Sequence, residues 1–271
     1  MTTAISQRIG PGALGRVVLA AATAVGRTKI KTSGLFFYAL VWLSFPIFNL
    51  FLVALIYRGN AMLRDYAVIG GTGMAMLAGM LYNAGEILDN ERQRGTLGNL
   101  FLAPIPRYAW LAGFQLFAVI EALTCATITL IGGTLAFGLR VNISAAALVV
   151  TLTLLMCCMW GFSMIVGSLG VAIRDANQLS NLLFMPITLL AGTMFPIALM
   201  PEWLRVLAHC LPFSYAIQAL VDATTKGESI GSLGHLLLPL VGFAVALPVL
   251  GIFAFSRVER MTRRRGALEL V

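Results

Sequence analysis

Residues 35–57 read LFFYALVWLSFPIFNLFLVALIY, an apolar run without one charged side chain. As a helix rising 1.5 Å per residue it reaches about 35 Å, enough to cross a bilayer hydrocarbon core of roughly 30 Å. Working outward from it, five more predominantly apolar runs of spanning length follow, at about residues 66–88, 109–139, 145–173, 179–199 and 233–255. The pattern predicts an all-α membrane protein with six transmembrane helices. Composition points the same way: 59% of residues are hydrophobic, 11% are charged and the mean hydropathy is +0.90. A soluble domain carries roughly 25% charged residues, so this chain lacks the polar surface that water would demand.

The net charge of +8 raises the question of a nucleic-acid partner. Such a partner needs the cations gathered on one solvated surface. Here they lie at the two ends and in short loops between apolar runs, which excludes that class and sets membrane orientation instead. With the N-terminus inside, fourteen of the nineteen lysines and arginines fall on the inner side and five on the outer. Both termini are therefore expected in the cytoplasm, with the chain in the inner or plasma membrane. Residues 17–25 are apolar but too short to span, and Arg16 and Arg27 flank them. They predict an interfacial helix on the cytoplasmic face, not a cleaved signal. The expected organisation is a cytoplasmic tail with an amphipathic interfacial helix (1–34), a six-span transmembrane domain (35–256) and a basic cytoplasmic tail (257–271). Residues 201–222 are apolar but broken by Pro201 and Pro212, with Glu202, Arg205 and His209 spaced along one helical face. They read as short re-entrant helices dipping into the outer leaflet.

Chemistry-bearing residues are few. Between the second and third spans lies Glu86-Ile-Leu-Asp89-Asn-Glu91-Arg92-Gln-Arg94, then Gly95, Thr96 and a short apolar helix from Leu97 to Leu102 closed by Pro104 and Pro106. This reads as a helix leaving the membrane, a turn, and a surface helix that a soluble partner could grip. A solvated loop with i,i+4 charge pairs explains the spacing equally well. Glu121 is the carboxylate deep inside a span, at about 14 Å if span three enters near Ala112. It is either a pathway site for a cationic substrate or a carboxyl hydrogen-bonded to neighbouring spans. Asn49, Asn83 and Asn181 are further pathway candidates, although interhelical hydrogen bonding accounts for such groups too. Gly70, Gly71, Gly73 and Gly79 would let span two approach another helix closely. Cys125, Cys157, Cys158 and Cys210 have no zinc-ligand spacing and read as packing residues. His209 and His235 are isolated. No catalytic set, metal site or cofactor site is expected.

Two longer matches sharpen this. The run Glu91-Arg92-Gln-Arg94-Gly95-Thr96-Leu97-Gly-Asn-Leu100-Phe-Leu-Ala103-Pro104-Ile105 resembles the permeases of the ABC transporter type-2 family, in which an ERxxGTLxxLxxxPI pattern forms the cytoplasmic coupling region. A second match runs through Arg174-Asp175, Pro186, Gly192-Thr-Met-Phe195-Pro196, Met200-Pro201-Glu-Trp203-Leu204 and Pro212-Phe-Ser-Tyr215, similar to the family's fifth span and outer re-entrant helices. The resemblance covers residues 35–255. It implies that Glu86, Asp89, Glu91, Arg92, Arg94, Gly95, Thr96 and Leu97 couple to an ATPase, and that Arg174 and Asp175 contact it from the next cytoplasmic loop. Phe195, Pro196, Pro201, Trp203, Pro212 and Tyr215 would then form an outer gate.

The family further implies a separate ABC ATPase subunit that binds ATP and Mg, and a second permease subunit, identical or homologous. No G-x-x-x-x-G-K-[ST] phosphate loop occurs in this chain. The function expected is the transmembrane subunit of an ATP-driven exporter of a hydrophobic or amphipathic substrate, such as a drug, antibiotic or lipid. The alternatives are a proton-coupled secondary transporter using Glu121 and an intramembrane lipid-modifying enzyme. The first of these is weakened by the lack of a visible internal repeat.

Overall fold

The computed structural model describes residues 11–57, 59–93, 107–139, 142–173 and 176–264. Among them every regular element is helical. In chain order these are α1 (Pro11–Ser33), α2 (Leu35–Ile56), α3 (Ala61–Gln93), α4 (Arg107–Phe137), α5 (Ala145–Ile173) and α6 (Ala176–Leu190). After a 3-10 turn at Ile197–Leu199 come α7 (Glu202–His209) and α8 (Pro212–Val221). A π-helical turn at Asp222–Lys226 and α9 (Gly234–Arg264) complete the set.

Among the described residues four helices are long and apolar enough to cross a membrane: α2, α4, α5 and α9. They become five if the bent pair α7–α8 counts as one span. Only 17% of the α2 window is buried within the chain. Phe36, Phe37, Ile47, Phe48, Phe51 and Leu55 all point outward. In water such a surface would drive association, whereas in lipid it is solvated.

The centre of the bundle is α3. Its residues Val68, Ile69, Met76, Leu77 and Met80 are almost wholly enclosed, and α2, α4, α5, α6 and α8 all pack on it. A helix ringed by protein has no need of the hydropathy that lipid requires, and this explains why α3 tolerates Thr72, Asn83 and so many glycines. Those glycines serve three neighbours. A Cβ at Gly70 would strike the Thr193 carbonyl, one at Gly73 would strike Ile217 of α8, and one at Gly79 would press on Ala122 of α4. Close backbone approach recurs between α5 and α9. A side chain at Gly161 would collide with the Leu247–Pro248 peptide, and one at Gly251 would lie 2.7 Å from the Gly161 carbonyl oxygen.

Three expectations are corrected. First, the N-terminal helix is not confined to residues 17–25. It runs from Pro11 to Ser33 and packs against α4, where a Cβ at Gly113 would meet Ala21 at 2.5 Å. Small residues on both helices permit this docking, which an apolar count over nine residues did not register. Second, the helix of the fifth apolar run ends at Leu190 and not at Leu199. Gly192 adopts a left-handed φ of 70° and turns the chain back. Third, Cys210 is exposed at the end of α7, while Cys125 and Cys158 are buried as expected of packing residues.

After that turn the chain folds inward. Helices α7 and α8 meet at a 96° bend. Pro212 starts α8, where its missing N–H costs nothing. Eight of the ten α8 residues are buried, which accounts for a helix that is largely apolar, with Gln218 on its exposed side. By contrast α7 leaves Trp203, Val206 and Leu207 exposed.

Candidate functional site

The strongest polar constellation draws one residue from each of the first four helices: Lys29 (α1), Tyr38 (α2), Asn83 (α3) and Glu121 (α4). The side chains of Lys29 and Glu121 are 13% and 6% exposed, and Lys29 Nζ lies 3.4 Å from Glu121 Oε2. Asn83 completes the bridge: its Oδ1 accepts from Lys29 Nζ at 2.7 Å, and its Nδ2 donates to Glu121 Oε2 at 2.9 Å. The same amide also donates to the Gly79 carbonyl at 2.5 Å, which fixes its orientation. The Tyr38 hydroxyl donates to Glu121 Oε1. The rings of Trp42 and Phe117 flank the ammonium, with centroids 5.9 and 5.7 Å from Nζ. An isolated charge at this burial is costly, so the pairing and the added hydrogen bonds are what permit both ions.

This geometry changes the reading of Glu121. A carboxylate waiting for a cationic substrate needs an unmatched charge, and this one is matched within the chain. Tyr38 lies in the first turn of α2, so its hydrogen bond ties the carboxylate to the start of that helix. Lys29 was missed because the sequence offers it only as one of several cations near the N-terminus. Its partner is 92 residues away, and no local spacing links them.

The other pathway candidates do not join this cluster. Asn49 is buried against α3, with Nδ2 3.8 Å from Met74 Sδ and no hydrogen-bond partner for Oδ1. Asn181 is exposed on α6. Of the coupling residues, Glu86, Asp89, Glu91 and Arg92 fall on the last turns of the α3 backbone. Arg94, Gly95, Thr96 and Leu97, with the surface helix anticipated at 97–102, lie outside the described residues, as do Arg174 and Asp175.

The proposed gate residues are scattered at the opposite end of α3. Phe195 and Pro196 belong to the turn after α6, and Pro201 immediately precedes α7. Trp203 is exposed on α7, Pro212 is buried at the start of α8, and the Tyr215 ring packs 5.5 Å from that of His209. What holds this end together was not anticipated. The Tyr57 hydroxyl donates to the Met194 carbonyl at 2.8 Å, and that of Tyr66 to the Gly192 carbonyl at 2.9 Å. Arg205 donates to the carbonyls of Ala198 and Met200 at 3.0 and 3.2 Å. Two tyrosines and an arginine thus satisfy backbone oxygens that the irregular turn leaves unpaired. Among the described residues no group of three or more His, Cys, Asp or Glu could hold a metal ion.

Comparison with known proteins bears on this arrangement. The chain is 25% identical over 185 residues to the "Probable multidrug ABC transporter permease YbhR" of Escherichia coli (strain K12), and equally to the protein of that name in Escherichia coli O157:H7. The aligned region is 68% of this chain and 50% of each relative. The chain thus spans about half the length of the curated relatives it matches. The family model for the ABC-2 type transporter matches residues 20–224. That segment starts within α1 and ends in the π-helical turn, so it contains the Lys29–Glu121 cluster, the whole of α3 and the bent pair. A match over so much of the chain establishes that it belongs to the ABC-2 type transporter family, among its permeases.

Proposed function

We propose that this chain is the transmembrane subunit of an ATP-driven ABC exporter. It forms the pathway for a hydrophobic or amphipathic substrate and does no chemistry of its own. Six spans are formed by α2, α3, α4, α5, α6 with its following turn, and α9. The 96° bend at α7–α8 supports a re-entrant element in place of a further crossing. Both termini are cytoplasmic, in the plasma or inner membrane, as the distribution of lysine and arginine favours. A separate ABC ATPase binds ATP and Mg, and a second permease subunit completes the pathway. In this scheme residues 1–34 and 257–271 are the cytoplasmic ends of a permease domain at 35–256.

The observation that carries this reading, beside the family match, is the length of α3. Its 33 residues make a rod of about 50 Å, which exceeds a hydrocarbon core of roughly 30 Å by several turns. The excess carries Glu86, Asp89, Glu91 and Arg92. A rigid helix that is central to the bundle and projects from it is a direct mechanical link between a soluble partner and the packing of five other helices. Arg94, Gly95, Thr96 and Leu97 continue this link, with Arg174 and Asp175 as a second point of contact.

Co-expression with a candidate ATPase subunit tests the assignment. A purified complex should show vanadate-sensitive ATP hydrolysis and efflux of an amphipathic substrate. Alanine at Glu91, Arg92 and Arg94 together should leave membrane insertion intact and abolish ATP-dependent efflux. Efflux at the wild-type rate in that triple variant would remove the coupling role.

A further inference from the structure

At the end of the bundle opposite the Lys29–Glu121 cluster, a cavity of about 470 Å³ opens between the start of α3, the turn at 196–198 and the end of α8. Its size falls within the range of sites that take small organic molecules. The walls are largely apolar, with Leu63, Ile197 and Val221 among them, and two carboxylates, Asp65 and Asp222, reach the same space. We propose that this cavity is a binding site for an amphipathic organic cation. Its apolar body would lie on the aliphatic wall and its charge between Asp65 and Asp222.

The charge pattern carries the sign. The chain has a net charge of +8 and only eleven acidic residues, so two carboxylates on one cavity of this size are a local reversal. Each has a neighbouring cation, but neither cation fills the cavity. Arg64 bonds Asp65 Oδ1 at 3.2 and 3.3 Å, and its guanidinium is drawn toward the Phe137 ring, 5.4 Å away. Lys226 lies on the rim with 60% of its side chain exposed, divided between Asp222 at 2.7 Å and Glu228 at 3.9 Å. Among the lining groups two negative charges face one positive, leaving a net charge of one negative. An organic anion would meet both carboxylates, and a neutral apolar molecule would cover them while leaving the net negative charge of the lining unmatched. A cation with an apolar body satisfies the wall and the carboxylates together.

The inference does not depend on the ATPase reading, since occupancy of the cavity needs neither nucleotide nor a partner subunit. The test uses the full chain in nanodiscs and measures equilibrium binding of tetraphenylphosphonium, with empty nanodiscs subtracted to remove partition into lipid. Saturable binding is expected. Tetraphenylborate, which has the same shape and the opposite charge, should fail to compete. Asp65→Asn/Asp222→Asn should weaken binding by about tenfold or more, in keeping with loss of charge-assisted contacts. Ala198→Trp, which fills the cavity without touching a carboxylate, should abolish binding while the far-UV spectrum and melting temperature stay at wild-type values. The proposal is overturned by the absence of saturable binding, by equal competition from tetraphenylborate, or by unchanged affinity in both variants. Loss of efflux with tetraphenylphosphonium binding retained would count against the exporter assignment and leave this site standing.

Discussion

Replacing Lys29 by methionine removes one charge of the Lys29–Glu121 pair and keeps an unbranched side chain. Glu121 then stays buried at 6% exposure, still accepting from Tyr38 and Asn83 but without the cation at 3.4 Å. Breaking a buried pair from one side typically costs 3–5 kcal/mol. The surviving hydrogen bonds place this case at the lower end, about 3 kcal/mol. The combined variant Lys29→Met/Glu121→Gln removes both charges and keeps a hydrogen-bonding side chain at position 121, so its cost should be about 1 kcal/mol. The double variant is therefore expected to be more stable than the Lys29→Met single by about 2 kcal/mol, roughly 25-fold in the unfolding equilibrium. Unfolding of the purified chain in mixed micelles titrated with sodium dodecyl sulfate, followed by far-UV circular dichroism, measures both. If the double variant proves equal to the single or less stable, the two side chains are not an ion pair and the four-helix cluster has been misread.

Two other predictions test packing and exposure. Gly161→Ala should destabilise by about 1–3 kcal/mol, because its Cβ meets backbone of α9 that cannot yield. Gly242→Ala, on α9 with nothing within 4 Å of its Cβ, should be neutral or gain up to about 1 kcal/mol from helix propensity. The same micelle titration ranks the two, and a reversal would contradict the close α5–α9 contact. Trp203 is 67% exposed on α7. With Trp42, Trp110 and Trp160 replaced by phenylalanine, its fluorescence should be quenched strongly by brominated lipid. Quenching by aqueous iodide in preference to lipid would place α7 outside the bilayer.

The family and the helical class were legible because both rest on local signals. An uncharged run such as 35–57 declares its solvent by composition, and the pattern from Glu91 to Ile105 is contiguous. Helix limits were readable where the pattern ends sharply: residues 145–173 were anticipated as a span, and α5 covers the same residues. They were not readable where a turn carries apolar residues, as at 191–199, because hydropathy does not distinguish a buried turn from a helix. The site was half legible. Glu121 and Asn83 stood out as polar groups within apolar runs. Lys29 and Tyr38 did not, since one looks like a topogenic cation and the other like part of an aromatic belt.

By itself, then, the sequence determined that the chain is a helical membrane protein of the ABC-2 kind, with charged residues next to its second apolar run. Those properties follow from transfer energies and from residues adjacent in the chain. The tertiary structure alone decided that α1 docks on α4 and delivers Lys29 to Glu121, and that α3 is ringed by protein instead of lipid. It also decided that Asp65 and Asp222, far apart in sequence, face one cavity. The physical reason is common to all three. Each depends on which helix faces meet, and that is set by close backbone approach at small residues such as Gly113, Gly70 and Gly161 and not by the polarity of any one segment.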